Sequence, residues 1–161
     1  MARIIHSHQG NLMEKLLSDS IASQVRDVFK KQLKEPVRVL LFVSKDNCPG
    51  CEPTQQLLEE VVALSDQLSL SVHDMEAEPD LATLYRVSGN APAIIIAARD
   101  GERISDLGIR YLGIPSGHEF STLIQDLILV SGRDSGLTPQ ARNYIKGLTK
   151  PLHMQVFVTP T

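Results

Sequence analysis

The sequence predicts an α/β domain over residues 1–131, built on a four-stranded mixed sheet with helices on both faces. Three observations carry this. Two short runs, Val37–Val43 and Ala93–Ala98, are apolar almost without interruption, as strands buried on both faces are. Between them apolar residues recur at the three- and four-residue intervals of helices. After the second run, Asp100-Gly101 is a strong hairpin turn. The resulting order is a helix followed by β-α-β-α-β-β-α. Its first two strands, joined by a helical crossover, are expected to be parallel, and its last two to form an antiparallel hairpin.

Each element has its own signal. From Asn11 to Leu33, residues Leu12, Leu16, Leu17, Ile21, Val25, Val28, Phe29 and Leu33 keep helical spacing. Ser18, Asp19 and Ser20 carry cap-forming side chains, which leaves two helices or one broken helix as an N-terminal helical extension. Pro36 closes that region, and Val37–Val43 forms the first strand. From Glu52 a second stripe (Leu57, Leu58, Val61, Val62, Leu64, Leu68) marks a helix with Glu59, Glu60 and Asp66 turned outward. A short strand is expected over Leu70–Met75. Glu78-Pro79-Asp80 then opens a helix, with proline just inside its start and acids at the positive end of its dipole. That helix ends near Tyr85 or Arg86. Ala93–Ala98 and Ile109–Ile114 supply the hairpin strands, and Glu119–Val130 the last helix of the domain, with Phe120, Leu123, Ile124, Leu127 and Ile128 on one side.

Residues 132–136 read as a linker. Beyond them Thr138-Pro139 starts a short helix ending near Lys146-Gly147, and Pro151–Val158 reads as a strand. At a constant offset of 115, Pro151 falls on Pro36, Phe157 on Phe42 and Val158 on Val43. Residues 137–161 therefore read as the opening of a second, truncated copy of the unit, although a helix, a proline and a strand also follow one another without any repeat. On the repeat reading the sequence is a piece of a longer protein. Its final strand would have a free edge through which self-association is expected.

Charge and composition exclude several functions. With 16 basic and 19 acidic side chains, no basic excess exists to neutralise nucleic-acid phosphates. The longest apolar run, Ala91–Ala98, is too short to span a bilayer and contains Pro92. The first ten residues lack the apolar stretch and cleavage site of a secretory leader, so a cytoplasmic location is expected. No phosphate loop or dinucleotide fingerprint is present, and no cofactor is expected.

Only two cysteines occur, as Cys48-Pro49-Gly50-Cys51. Such a pair is either redox-active or half of a metal site. Structural zinc wants four ligands, and the only close histidine pair is His6/His8, so no metal is expected unless two chains share it. The pair lies where a buried strand hands over to a helix, the end of an α/β sheet at which reactive groups collect. Unpaired N–H groups and the dipole of that helix favour thiolate over thiol. Three-residue spacing on a helical turn brings the two Cα atoms to about 5–6 Å, within disulfide range. Cys48, ahead of the helix, is the candidate attacking thiolate. Cys51, inside the first turn, is the candidate for resolving the mixed disulfide. Pro49 suits the first helical position, and Gly50 leaves the approach open. With no histidine between the cysteines, a reductant or mild exchanger is expected rather than a strong oxidant.

A second candidate element is Gly89-Asn90-Ala91-Pro92-Ala93, leading into the third strand. Pro92 belongs at the first residue of a strand and is either cis or an ordinary trans proline. If the strands share one sheet, Pro92 lies beside the cysteines, and the backbone of Ala91 is placed to pair with an extended substrate segment.

Together these residues resemble a family. Phe42-Val-Ser-Lys-Asp46 ahead of the cysteines, Ala91-Pro92-Ala93, and Gly108-Ile-Arg-Tyr-Leu-Gly-Ile-Pro-Ser-Gly-His-Glu-Phe120 are similar to the N-terminal unit of the protein disulfide oxidoreductases. These are glutaredoxin-like proteins of two tandem thioredoxin folds. Val156–Thr161 resembles the stretch before that family's second Cys-x-x-Cys. The resemblance implies a thioredoxin-like fold, dithiol–disulfide exchange on protein substrates, a cis Pro92, and a thioredoxin-reductase-type reductant. Two departures stand out. The second cysteine pair is absent, and Phe42 occupies the position at which thioredoxins carry a buried aspartate. A reading of a different class makes the chain a non-catalytic docking module of a longer redox protein, as the similar N-terminal region of alkyl-hydroperoxide-reductase flavoproteins illustrates. The intact Cys48/Cys51 pair favours activity.

The remaining polar residues have structural readings. His118 and Glu119 suit a helix start, and His73 and His153 strand-like segments. Asp74, Glu76, Glu78 and Asp80 suit a loop and helix N-terminus better than a cation site.

Overall fold

The computed structural model describes residues 15–157. Its elements are α1 (Asp19–Gln32), β1 (Val37–Val43), α2 (Cys51–Val62), β2 (Leu68–Asp74), α3 (Pro79–Leu84), β3 (Ala93–Asp100), β4 (Arg103–Leu112), α4 (His118–Ser131) and α5 (Pro139–Lys146). The sheet is four-stranded in the order β2-β1-β3-β4. β1 runs parallel to β2 and antiparallel to β3, and β3 and β4 form the hairpin. β1 and β3 are the two central strands, which accounts for their nearly unbroken apolar runs.

Alternation along these strands divides the core in two. Val37, Val39, Leu41, Ile94 and Ile96 face Phe29 of α1, Leu58 and Val61 of α2, and Leu123 and Leu127 of α4. Leu40, Phe42, Ala93, Ile95 and Ala97 face the other way, toward Met75, Ala82 and Val87. Three helices thus cover one face and the short α3 part of the other.

The Ser18 hydroxyl accepts from the Ile21 N–H and starts α1. Leu12, His6 and His8 lie outside the described residues. Just ahead of α1, the backbone N–H groups of Leu16 and Leu17 donate to the Glu60 carboxylate of α2, at 2.9 and 2.8 Å. Burial pushes the Glu60 carboxyl up, but the hydrogen bonds from Leu17 and Leu16 outweigh it and hold the group below its ordinary value. The helix is therefore part of the domain, docked through both its apolar face and the turn before it.

Buried Ser131 closes the domain. Its hydroxyl accepts from the N–H groups of Lys34 and Glu35, at 2.8 and 3.0 Å, and donates to the Glu35 carbonyl at 2.7 Å. Ser131→Ala leaves these backbone groups without partners and is expected to cost about 1–3 kcal/mol. Urea unfolding should show this as a lower midpoint at unchanged slope.

Several expectations are corrected. β4 begins at Arg103 rather than Ile109. The register jumps between Ile96↔Ile109 and Ala97↔Asp106, so Leu107 and Gly108 bulge out, with Gly108 at φ +86°. Apolar signal resumes only past the bulge, and the polar stretch before it is an edge strand. β2 starts at Leu68, two residues before the expected Leu70. Pro49 is not the first helical residue: Cys48–Gly50 forms a turn, Gly50 precedes the helix, and α2 starts at Cys51. Helix α5 forms as expected, capped by Thr138, but buries no residue. The strand read over Pro151–Val158 is not formed across 151–157, which are exposed and make no ladder bonds; Val158 lies outside the described residues. A strand is held by its neighbour, and among the described residues none lies alongside this segment.

Candidate active site

β1 delivers the chain at Val43 to a loop whose far end carries Cys48, Pro49 and Gly50, and α2 opens on Cys51. The Cα atoms of Cys48 and Cys51 stand 5.4 Å apart and their sulfurs are bonded. Cys51 is 8 % exposed, whereas Cys48 is half-buried and lines an open groove. The Cys51 N–H turns back to the Cys48 carbonyl at 3.1 Å, and the Thr54 N–H reaches the Gly50 carbonyl at 3.1 Å. The two cysteines therefore sit at the positive end of a twelve-residue helix.

Pro92 packs against this turn. A Cβ placed on Gly50 would lie 3.4 Å from Pro92 Cδ and 3.6 Å from Ile114 Cγ1, so the motif, the proline and the loop after β4 meet at one point. The Ala91–Pro92 peptide is cis. The Pro92 carbonyl is taken by the Gly113 N–H at 2.9 Å, while the N–H and C=O of Ala91 have no partner among the described residues. Gly50, Ala91, Pro92 and both cysteines are thus brought together as expected. Pro49 is exposed at the tip of the turn.

The loop is tied to its neighbour after β2, an arrangement the sequence reading missed. Ser44 Oγ donates to Glu76 Oε1 at 2.6 Å, and Lys45 Nζ meets Asp74 Oδ2 at 2.5 Å. The Lys45 hydrogen bond, followed by that of the Ala77 N–H, pushes the Asp74 carboxyl down to about 2. The signal was available in outline, since Val43 pairs with Asp74 once β1 and β2 are parallel. Of the acids read as loop and helix-start residues, Asp74 and Glu76 serve the loop clamp, Glu78 meets His73, and Asp80 lies in the first turn of α3. Among the described residues no His, Cys, Asp and Glu cluster is arranged to hold a metal.

Beneath the cysteines Phe42 is fully buried and stacks on His73, ring centroids 5.3 Å apart. His73 is structural here, held between Ser71 (3.1 Å) and Glu78 (3.0 Å). Thr54, one turn past Cys51, is fully buried with its hydroxyl unpartnered. His118 and Glu119 occupy the first turn of α4, and His153 is exposed.

A disulfide-bonded Cys-x-x-Cys at the C-terminal end of a central strand, faced by a cis proline, on a β2-β1-β3-β4 sheet, defines a thioredoxin-like protein of the thiol–disulfide oxidoreductase type. Known proteins agree with this. The chain is similar to the F component of the alkyl hydroperoxide reductase of Pseudomonas aeruginosa, 24% identical over 142 residues, which is 88% of this chain and 24% of that protein. The corresponding reductase component of Staphylococcus epidermidis is 32% identical over 112 residues, covering 70% of this chain and 20% of that one. The chain thus spans about a quarter or less of the curated relatives named here. Among solved structures, a protein disulfide oxidoreductase from Aeropyrum pernix superposes with a TM-score of 0.69 at 26% identity, over 81% of this chain and 55% of that one. The NTD_N/C domain of the alkylhydroperoxide reductase AhpF from Enterococcus faecalis gives 0.72 at 25%, over 83% and 62%. No protein-family model matches the chain. The resemblance to protein disulfide oxidoreductases and the thioredoxin-like fold are both borne out.

Proposed function

We propose that this chain is a protein-disulfide oxidoreductase working through Cys48 as attacking thiolate and Cys51 as resolving thiol. The observation that carries the reading is the unequal exposure of two bonded cysteines: Cys48 is half-buried on the groove that also holds Ala91, whereas Cys51 is 8 % exposed at the wall of a second groove. In the reduced protein, Cys48 Sγ⁻ attacks one sulfur of a substrate disulfide. That S–S bond breaks, its other sulfur leaves as a thiolate and takes up a proton, and a mixed disulfide remains on Cys48. Cys51, losing its proton to water, attacks Cys48 Sγ, re-forms the Cys48–Cys51 bond and releases the second substrate thiol. Two electrons pass from the dithiol to the substrate. A thioredoxin-reductase-type partner returns them, a role supported by the reductase names of the relatives.

Substrate is seated across Ala91 and Pro92, where the unpaired Ala91 backbone supports strand-like addition, with Gly50 and Pro49 forming the opposite lip. Residues 137–161 open a second unit, a reading supported by α5 and by the exposed Leu152, Met154, Val156 and Phe157 that follow it. They are also the surface through which self-association would occur. We assign the activity to the cytosol, where a reductant can keep the dithiol turning over. No helix among the described residues is long and apolar enough to cross a membrane. The rival reading, a docking module, is favoured by the small share of the reductase relatives that the chain spans.

Cys51→Ser separates the two. Reduced and mixed with insulin, this variant should accumulate an adduct on Cys48 that dithiothreitol releases, visible by non-reducing electrophoresis and mass spectrometry. Absence of the adduct would falsify the nucleophile–resolver pair and leave the docking module.

A further inference from the structure

The two grooves that flank the disulfide carry charge of one sign. The groove on the Cys48 side, about 350 Å³, has Asp46 and Glu76 as its charged lining residues. The groove on the Cys51 side, about 310 Å³, has Glu52 and Glu59. Among the described residues no Lys, Arg or His lines either. Lys45, the basic side chain of the intervening loop, is held by Asp74 at 2.5 Å and turned to the β2 side. Glu76 is fixed in place, its carboxylate receiving the Ser44 hydroxyl at 2.6 Å and the Lys45 N–H at 3.4 Å. The site itself is defined by the disulfide and by the unpaired backbone of Ala91 in the same groove.

We infer that the site selects disulfides flanked by basic residues and disfavours anionic ones, glutathione disulfide included. This rests on the reading of Cys48 as the attacking sulfur. An extended segment laid along Ala91 lies in the groove that Asp46 and Glu76 also line. Lysine or arginine beside its half-cystine gains attraction at both, whereas a carboxylate there meets like charge that Lys45, paired with Asp74, offsets only in part. Glutathione presents carboxylates at both ends and meets only acidic charge along the groove. The protein would thus draw on a protein reductant and act on basic protein segments.

The test uses the full chain, reduced with dithiothreitol and desalted, against three fluorogenic peptide disulfides identical except for Lys, Ala or Glu beside the half-cystines. Glutathione disulfide is the fourth probe. Stopped-flow rates of the first exchange should favour the Lys over the Glu peptide about tenfold at roughly 20 mM ionic strength, shrinking to about twofold or less at 0.5 M. Glutathione disulfide should be as slow as the Glu peptide, or slower. The double variant Asp46→Asn/Glu76→Gln, which keeps the hydrogen-bonding shape, should lose most of the preference. Equal wild-type rates on the Lys and Glu peptides at low salt would overturn the inference while leaving thiol exchange standing. A preference indifferent to salt, or kept by the double variant, would overturn it too. No reaction with the Ala peptide, or with any probe, would overturn the proposed function itself, and this inference with it.

Discussion

A Cys48→Ser protein is expected to lose insulin reduction by at least about a thousandfold while keeping its fold. A serine hydroxyl is scarcely ionised near neutral pH and cannot form the sulfur–sulfur bond on which exchange depends. Cys51 cannot substitute, because it is 8 % exposed and lines the other groove, not the one that holds Ala91. Position 48 is half-buried at a loop end, so the substitution removes little packing. The check is the rate of insulin turbidity at matched concentration, with urea midpoints of both proteins compared under reducing conditions. Similar midpoints with activity gone locate the chemistry on Cys48. Activity near the wild-type level would remove it from the mechanism.

Phe29→Ala is expected to cost about 3–5 kcal/mol and to lower Tm by about 10 °C or more. Phe29 lies on α1 at 1 % exposure, in the cluster that holds Leu58, Val61, Leu123 and Leu127. Truncation removes an aromatic ring that helices α2 and α4 surround, and the backbone held by Ser18 and Glu60 restricts collapse into the space. Calorimetry or urea unfolding measures the loss. A cost under about 1 kcal/mol would show α1 to be an appendage to a sheet that stands without it.

What the sequence determined alone was whatever local pattern encodes. The strands β1 and β3 were legible because a strand buried on both faces must be apolar throughout. The Cys48/Cys51 site was legible because a strand-to-helix junction places two half-cystines within bonding reach. Ser18 and Thr138 were readable as helix starts because their own side chains make the cap. Tertiary structure decided the rest, through contacts between residues far apart in the chain. The polar edge strand Arg103–Asp106 is a strand only because β3 lies beside it. The segment 151–157 shows the converse, for a strand-like sequence without a neighbouring ladder stays unpaired. Likewise Ser44 and Lys45 acquire Glu76 and Asp74 as partners only once β1 and β2 pair in parallel, bringing together residues about thirty positions apart. Side-chain type announces what a residue can bond, but which group it meets is set by the packing of the whole sheet.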